Sequence, residues 1–187
     1  MSDDPGENGL IGGREKREIV VVPYDPTWPA TFKIHRDRIA AALGTVARRI
    51  DHVGSTAVPG LPAKAIIDVD LSVDDIEDEP AYLPALQRAG YCLRVREPGH
   101  RMVRTPDLAV HVHICQTGSD WERRHLLFRD RLRADPADRA GYAELKTRLA
   151  RHEWTDMTAY ADAKGPLIAE ITDRAERWAA KVGWAPG

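Results

Sequence analysis

The chain is poor in cysteine and in long apolar runs, and each scarcity excludes a class of protein. Its two cysteines, Cys92 and Cys115, cannot build a disulfide framework and lack the spacing of a zinc site. Both lie in apolar stretches typical of buried thiols. No apolar run approaches the roughly 18 residues that a membrane-spanning helix needs. Residues 1–18 are polar and charged, unlike a signal peptide. We therefore expect a cytoplasmic protein with no membrane partner.

The chain also lacks an excess of charge of either sign. Its 27 Lys and Arg residues stand against 29 Asp and Glu residues, which gives a formal net charge of −2. This balance does not favour nucleic acid as a partner, because phosphate backbones attract basic surfaces. A local basic pocket for a small phosphorylated ligand remains compatible with it. Nothing in the composition indicates an oligomeric state.

The pattern of apolar residues predicts an α/β (α+β) fold with a helical last third. We expect a disordered leader over residues 1–17 and a single domain over residues 18–187, with its helical part at about 119–182. Short apolar runs between turn residues predict strands at 19–22, 46–53, 65–73, 91–95, 101–105 and 109–115. Helix signals begin near Thr27, Pro80, Ser119, Pro136 and Met157.

The most informative stretch is DHVGSTAVPGLPAKAIIDVD, at positions 51–70. Asp68 and Asp70 are two residues apart on a predicted strand, so both carboxylates leave the same face. Neighbouring carboxylates repel each other unless a cation or a proton lies between them. Two solvated acids at an exposed strand end are the alternative, but the apolar neighbours of this strand favour a central position. The pair therefore predicts a metal or ligand site.

A Gly-Ser-Thr turn precedes this strand. Gly54 permits close backbone approach, and Ser55 and Thr56 offer hydroxyl and N–H groups to phosphate oxygens. Lys64 lies between the turn and the acids, within reach of a phosphate. An ordinary turn and a solvated lysine are the alternatives. Together with the two acids, the turn and the lysine predict a Mg²⁺-nucleotide site.

Two histidines, His111 and His113, share one face of a later predicted strand. Such a pair can ligate a metal, contact a substrate or a phosphate, or serve the structure alone. Basic residues follow on the helical third. We select Arg129, whose guanidinium suits phosphate or carboxylate, with Lys146 and Lys164 as further candidates.

The string HVGSTAVPGLPAKAIIDV closely resembles the GrpB family, and the resemblance continues through HVHICQTGSDWERRHLLFRDRLRADPADRAGYAELKTRLA, covering about residues 20–178. A Gly-Ser turn followed by Asp-x-Asp on a strand is the arrangement of the nucleotidyltransferase superfamily. The resemblance implies a nucleotidyltransferase-like mixed β-sheet flanked by helices. Active nucleotidyltransferases usually add a third carboxylate on a neighbouring strand, where this chain has His111 and His113 instead.

The resemblance matches Gly54 and Ser55 to the phosphate-binding turn and Asp68 and Asp70 to the metal-binding pair, and together with the other candidate residues it predicts the following roles. The metal pair is Asp68 and Asp70, holding Mg²⁺ with Mn²⁺ as an alternative. The predicted catalytic residues are Asp68, Asp70 and His113. Nucleotide binding is assigned to Gly54, Ser55, Thr56 and Lys64, and substrate binding to His111, Arg129 and Lys146.

These residues predict transfer of a nucleotidyl group from an NTP to an unidentified small acceptor, with release of pyrophosphate. One alternative is a non-catalytic accessory module that binds a nucleotide or a partner protein. Fusion of GrpB-like domains to dephospho-coenzyme A kinases suggests a link to coenzyme A or nucleotide metabolism. A second alternative is a small metallohydrolase that uses Asp68, Asp70, His111 and His113.

Overall fold

A five-stranded mixed sheet forms the centre of the computed structural model, which describes residues 9–186. The strands are β1 (Arg49–Val53), β2 (Ile67–Val73), β3 (Cys92–Glu97), β4 (His100–Arg104) and β5 (Val110–Gln116). Their spatial order is β1-β2-β5-β4-β3. Strands β2 and β5 run parallel, and the other neighbours pair antiparallel. The sheet and its flanking helices confirm the predicted mixed α/β class.

The helices cover both faces of this sheet. They are α1 (Trp28–Leu43), α2 (Glu79–Arg88), α3 (Asp120–Ala134), α4 (Pro136–Leu149), α5 (Met157–Asp162) and α6 (Gly165–Val182). The largest apolar cluster joins α1 and α2 to one face of the sheet. Helix α3 contacts β1 and β5 and packs against α4 and α6. No helix among residues 9–186 has both the length and the apolar character needed to cross a membrane.

Side chains along β2 point alternately into the apolar core and to the opposite face of the sheet. Val69 and Leu71 are fully buried in the core cluster. Burial of such a side chain contributes about 1.5–3 kcal/mol. Asp68 and Asp70 alternate with these residues along the strand and therefore point to the other face. The core thus determines which way the two carboxylates face, as the sequence predicts.

Different groups cap the predicted starts of the helices. The Ser119 hydroxyl accepts from the backbone N–H of Glu122, and the Asp135 carboxylate accepts two N–H bonds at the start of α4. Thr27 makes no side-chain cap bond. Its own N–H and hydroxyl instead donate to the Asp25 carboxylate at 2.8 and 2.7 Å. The start of α1 therefore depends on an acid two residues earlier than expected.

Two smaller predictions differ from the structure. Residues 19–22 do not form a strand, since Val22 makes only an isolated bridge with Ala63. Pro23 follows immediately and has no N–H to extend the pairing. Cys92, predicted as a buried thiol, is exposed, whereas Cys115 is buried as expected.

Residues 9–17, which we call the N-terminal strap, begin along the edge strand β3. Leu10 bridges Val95, and the Ile11 N–H donates to the Arg94 carbonyl at 2.9 Å. Ile11 is 6% exposed. The predicted disordered leader therefore differs from the structure at residues 9–17, whereas residues 1–8 lie outside the described part. The open backbone groups of an edge strand explain the docking, because they offer partners to any extended segment.

The strap can be tested by removing its buried side chain. We expect Ile11→Ala to lower the free energy of unfolding by about 2 kcal/mol, because a buried aliphatic side chain is lost. Val20→Ala is the matched control, since Val20 is 51% exposed; its cost should stay below about 0.5 kcal/mol. Urea unfolding measures both variants. Equal stability of Ile11→Ala and the parent chain would show that the strap does not dock.

Candidate functional site

A cavity of about 760 Å³ lies between the face of the sheet that carries Asp68 and the helices of the last third. Most of the predicted site residues line it: Gly54, Ser55, Thr56, Lys64, Asp68, His111, His113 and Lys146. Asp70 and Arg129 are not among the residues that line it. The predictions therefore converge on one place, with exceptions that the contacts explain.

The parallel pairing of β2 with β5 builds the centre of the site. Asp68 lies opposite His111, and Asp70 lies opposite His113. One Asp68 oxygen, Oδ1, is 3.7 Å from Nδ1 of His111 and 3.6 Å from Nε2 of His113. A ligand atom from each of the three side chains lies within 4.8 Å of the others. Asp68, His111 and His113 could therefore hold one metal ion together.

The electrostatics of this cluster favour an ionised Asp68. Burial alone would raise the pKa of its carboxyl group, but His113, His111 and Lys64 together lower it. Burial acts in the opposite direction on His113, whose pKa is nonetheless raised by Asp68 and Asp70. Burial lowers the pKa of His111 to about 4, so this ring is neutral at pH 7.

Asp70 has a different partner from the one predicted. Its carboxylate is 1% exposed, and both oxygens lie 3.0 Å from Nδ1 of His125 on α3. This hydrogen-bonded pair satisfies the buried charge without an ion. The sequence interpretation missed His125. Its signal was the i, i+4 spacing from Trp121, which places both rings on the face of α3 that meets the sheet.

Gly54 is required where the turn approaches Asp68. Its φ is +67°, and a Cβ atom there would lie 2.4 Å from the Asp68 Oδ2 atom. The neighbouring Thr56 is 1% exposed, and its hydroxyl donates to the Ile66 carbonyl at 3.1 Å. His52 Nε2 lies 3.0 Å from the same hydroxyl. The Thr56 hydroxyl therefore stabilises the loop, which differs from the predicted contact with a phosphate.

Three lysines surround the other side of the cavity. Lys64 and Lys164 lie over the Tyr160 ring at 5.3 and 4.8 Å from its centre, and Lys146 lies 4.9 Å from that of Tyr142. The Lys146 ammonium also donates to the Pro62 carbonyl at 2.5 Å. Burial, followed by repulsion from Lys164 and Lys64, lowers the pKa of Lys146 to about 7. Burial, followed by repulsion from Lys64, lowers the pKa of Lys164 to about 8.

Arg129 does not take the predicted position at the substrate. Its guanidinium donates to the His52 carbonyl at 3.2 Å and to the Asp130 carboxylate at 2.7 Å. The residue is 8% exposed and joins α3 to β1. Arg124, five residues earlier in α3, lines the cavity instead. The guanidinium of Arg129 therefore stabilises the scaffold next to the site.

Residues 18–174 match the family described as GrpB protein. The chain belongs to the GrpB family. A UPF0157 protein of Streptomyces coelicolor is 51% identical over 166 residues, which cover 89% of each chain. The crystal structure of the conserved protein GrpB from Enterococcus faecalis is 32% identical, with a TM-score of 0.75, and the match covers 85% of this chain and 99% of that one.

A longer protein is also similar to this chain. The dephospho-CoA kinase of Mycolicibacterium paratuberculosis is 32% identical over 197 residues. The match covers 90% of this chain but 48% of the kinase. The similarity therefore concerns about half of that enzyme.

The close approach of Gly54 to Asp68 predicts a specific defect in Gly54→Ala. Gly60 is the matched control, since its φ is +78° but nothing lies within 4 Å of an added Cβ atom. We expect Gly60→Ala to cost about 1–2 kcal/mol from backbone strain alone. Gly54→Ala should cost at least about 2 kcal/mol more, because the Asp68 carboxylate must move. Urea unfolding of both variants checks this difference, and equal costs would contradict it.

Proposed function

We propose that this cavity binds a nucleoside triphosphate and transfers its nucleotidyl group to a small acceptor. The observation that carries the proposal is the convergence of Lys64, Lys146 and Lys164 on one cavity. Within residues 9–186, none of the three lysines forms an ion pair with a carboxylate. Lys146 is buried, Lys64 and Lys164 are half-buried, and the single charge of Asp68 acts on all three. A polyanionic ligand would supply the further negative charge that three such cations favour.

Electrostatic repulsion among the three lysines also favours a polyanionic ligand. Lys164 and Lys64 both lower the pKa of Lys146, and Lys64 lowers that of Lys164. A triphosphate would reverse this effect, because an opposite charge within hydrogen-bond distance favours the ammonium form. The lysines come from the loop before β2, from α4 and from the segment joining α5 to α6. They can therefore contact different phosphates of one ligand.

The remaining wall suits the nucleoside and the acceptor. Phe128, Tyr142 and Ile168 contribute apolar surface to the cavity. Its volume of about 760 Å³ lies within the usual range of small-molecule sites, about 300–1,000 Å³. The ligand and a small acceptor would be held together there, and positioning of this kind accounts for much of the acceleration in phosphoryl transfer.

The chemical step would be attack of the acceptor on the α-phosphorus, with pyrophosphate leaving toward the lysines. Their ammonium groups would stabilise the charge that develops on the leaving group. The carboxylates that line the cavity are those of Asp68 and Asp173. Asp68 is the one beside the Gly54 turn. A divalent ion bound there would supply further charge stabilisation.

Hydrolysis is the second candidate function. It is favoured by His111 and His113, because mixed nitrogen and oxygen donors are typical of metallohydrolases. Water would then replace the organic acceptor. The two functions differ in their requirement for an acceptor. Turnover of the NTP without any added acceptor would favour hydrolysis.

An accessory role is the third candidate. It is favoured by the relative named dephospho-CoA kinase, in which the similar region is about half of the chain. Dephospho-coenzyme A carries an adenosine pyrophosphate, so the same three lysines could bind it. Mg²⁺-dependent nucleotide binding without turnover, with any acceptor, would support this role.

Calorimetric titration with each of the four NTPs tests the proposed site. We expect binding in the presence of a divalent ion, weakened at least about tenfold in Lys146→Met/Lys164→Met, since each charged contact contributes about 1.5–3 kcal/mol. Lys181→Met, at the exposed end of α6, is the control and should bind within about twofold of the parent chain. Release of pyrophosphate during an acceptor screen then tests transfer. Absence of binding for all four NTPs would overturn the proposal.

The low pKa of Lys146 makes a separate prediction about pH. As the pH rises through about 7, the unliganded Lys146 loses its proton and its attraction for an anion. Affinity for inorganic triphosphate should therefore fall by up to about tenfold between about pH 6 and pH 9 relative to Lys146→Arg, which keeps its charge. Lys164, Lys64 and Asp68 face the same ammonium and remain present in both proteins. Parallel pH profiles of the two proteins would contradict this assignment.

A further inference from the structure

We infer that Asp68, His111 and His113 bind one first-row transition-metal ion, such as Zn²⁺ or Fe²⁺, in preference to Mg²⁺, and that His100 positions His113 for this purpose. The inferred site shares the cavity with the proposed function. Its test uses the metal alone, so the metal site and the nucleotide site can fail separately.

The distances between the donor atoms are the first argument for a shared metal ion. The gaps of 3.7 and 3.6 Å from Asp68 Oδ1 to the two imidazole nitrogens are too long for hydrogen bonds. Ligands about 2.0–2.2 Å from a tetrahedral ion lie about 3.4 Å apart. The two separations from Asp68 are thus close to the distance that a shared ion requires, and the two imidazole nitrogens lie within 4.8 Å of each other. Asp70 and His125, at 3.0 Å, show the shorter spacing of a direct hydrogen bond.

A chain of side chains behind His113 orients its ring. Glu97 Oε2 lies 3.2 Å from His100 Nδ1, and His100 Nε2 lies 3.1 Å from His113 Nδ1. A carboxylate accepts, so His100 donates from Nδ1 and accepts at Nε2. His113 must then donate from Nδ1. In a neutral ring, its Nε2 atom carries a lone pair directed at Asp68, which is the tautomer that a metal ligand needs.

His111 adds a second lone pair to the same point. Its Nε2 atom is buried and has no hydrogen-bond partner within residues 9–186. A neutral imidazole has one N–H group and one lone pair, so with the hydrogen on Nε2 the Nδ1 lone pair is directed toward Asp68. Two nitrogen lone pairs and a carboxylate oxygen then face one another. Such acceptors repel unless a cation lies between them.

The chemistry of the donors selects the class of ion. Mg²⁺ prefers oxygen ligands and retains water, whereas imidazole suits Zn²⁺, Fe²⁺, Ni²⁺ and Cu²⁺. The predicted Asp68/Asp70 pair would have supplied oxygens alone, but His125 engages the Asp70 carboxylate. Both nitrogens of the inferred site come from β5, and its single oxygen comes from β2.

Metal titration of the full chain, after treatment with a chelator and without nucleotide, tests the inference. We expect one Zn²⁺ per chain by calorimetry, bound at least about 100-fold more tightly than Mg²⁺. Co²⁺ should give the visible spectrum of a site with nitrogen ligands. Stronger or equal binding of Mg²⁺, or no binding of Zn²⁺ or Co²⁺, would overturn the inference and leave Asp68 and His113 as an ion pair.

Variants separate the inferred ligands from the predicted acid pair. Asp68→Asn and His113→Gln should each weaken Zn²⁺ at least about 100-fold, because each removes a direct ligand. Asp70→Asn should retain Zn²⁺ within about threefold. The reverse order, with loss only in Asp70→Asn, would overturn the ligand set. Urea unfolding verifies the fold of each variant, and the metal titration of the parent chain stands even if one variant fails to fold.

The positioning role of His100 has its own readout. We expect His100→Phe to weaken Zn²⁺ about 10–100-fold and to change the Co²⁺ spectrum, because the His113 ring loses its orientation. His100→Gln can still accept from His113 and should recover part of both. A purely structural role would change stability without changing the Co²⁺ spectrum. An unchanged spectrum in folded His100→Phe would therefore remove His100 from the inferred site.

Discussion

The parallel register between β2 and β5 is the constraint on which the rest of this structure depends. It pairs Val69 with Val112 on the core face and Asp68 with His111 on the opposite face. A slip of one residue would bring every charged side chain of β2 into the apolar core and turn the valines toward the cavity. The free energy that stabilises the core therefore also maintains the site. Through this coupling, the packing of the core holds a carboxylate and two imidazoles close together.

The parts of the site that the sequence could predict are those encoded locally. Gly54 and Asp68 lie in one continuous motif, and their side of the sheet follows from simple alternation along a strand. The pairing of Asp70 with His125 joins residues 55 positions apart, so no local pattern indicates it. Arg129 was selected for its residue type, but its direction depends on how α3 docks against β1. Residue type predicted the charge of the site, and only tertiary packing determined which charges reach the cavity.

The N-terminal strap is a part of the fold that local sequence patterns do not predict. Residues 9–17 carry no periodic apolar pattern and many charged groups, which is typical of a leader. Their order comes from partners elsewhere: the edge of β3, the Arg104 guanidinium on Glu15, and the Met157 N–H, which donates to the Glu15 carbonyl at 3.0 Å. The last of these contacts joins the strap to the start of α5, the helix that carries Tyr160 into the cavity wall. The strap is therefore part of the support of the site.

The lysines on one side of the cavity and Asp68 on the other attract ligands of opposite charge. A free polyanion is attracted by the lysines but repelled by Asp68, which acts electrostatically on Lys146 and Lys164. A free cation is attracted by Asp68 and repelled by the same lysines. A phosphate chain that carries its own metal ion satisfies both sides at once. On the proposed function, metal and polyanion would each raise the affinity for the other, and by thermodynamic linkage the two increases must be equal. Selectivity for a metal-bound phosphate ligand would then follow from the charge distribution alone, before any contact with the base or the acceptor.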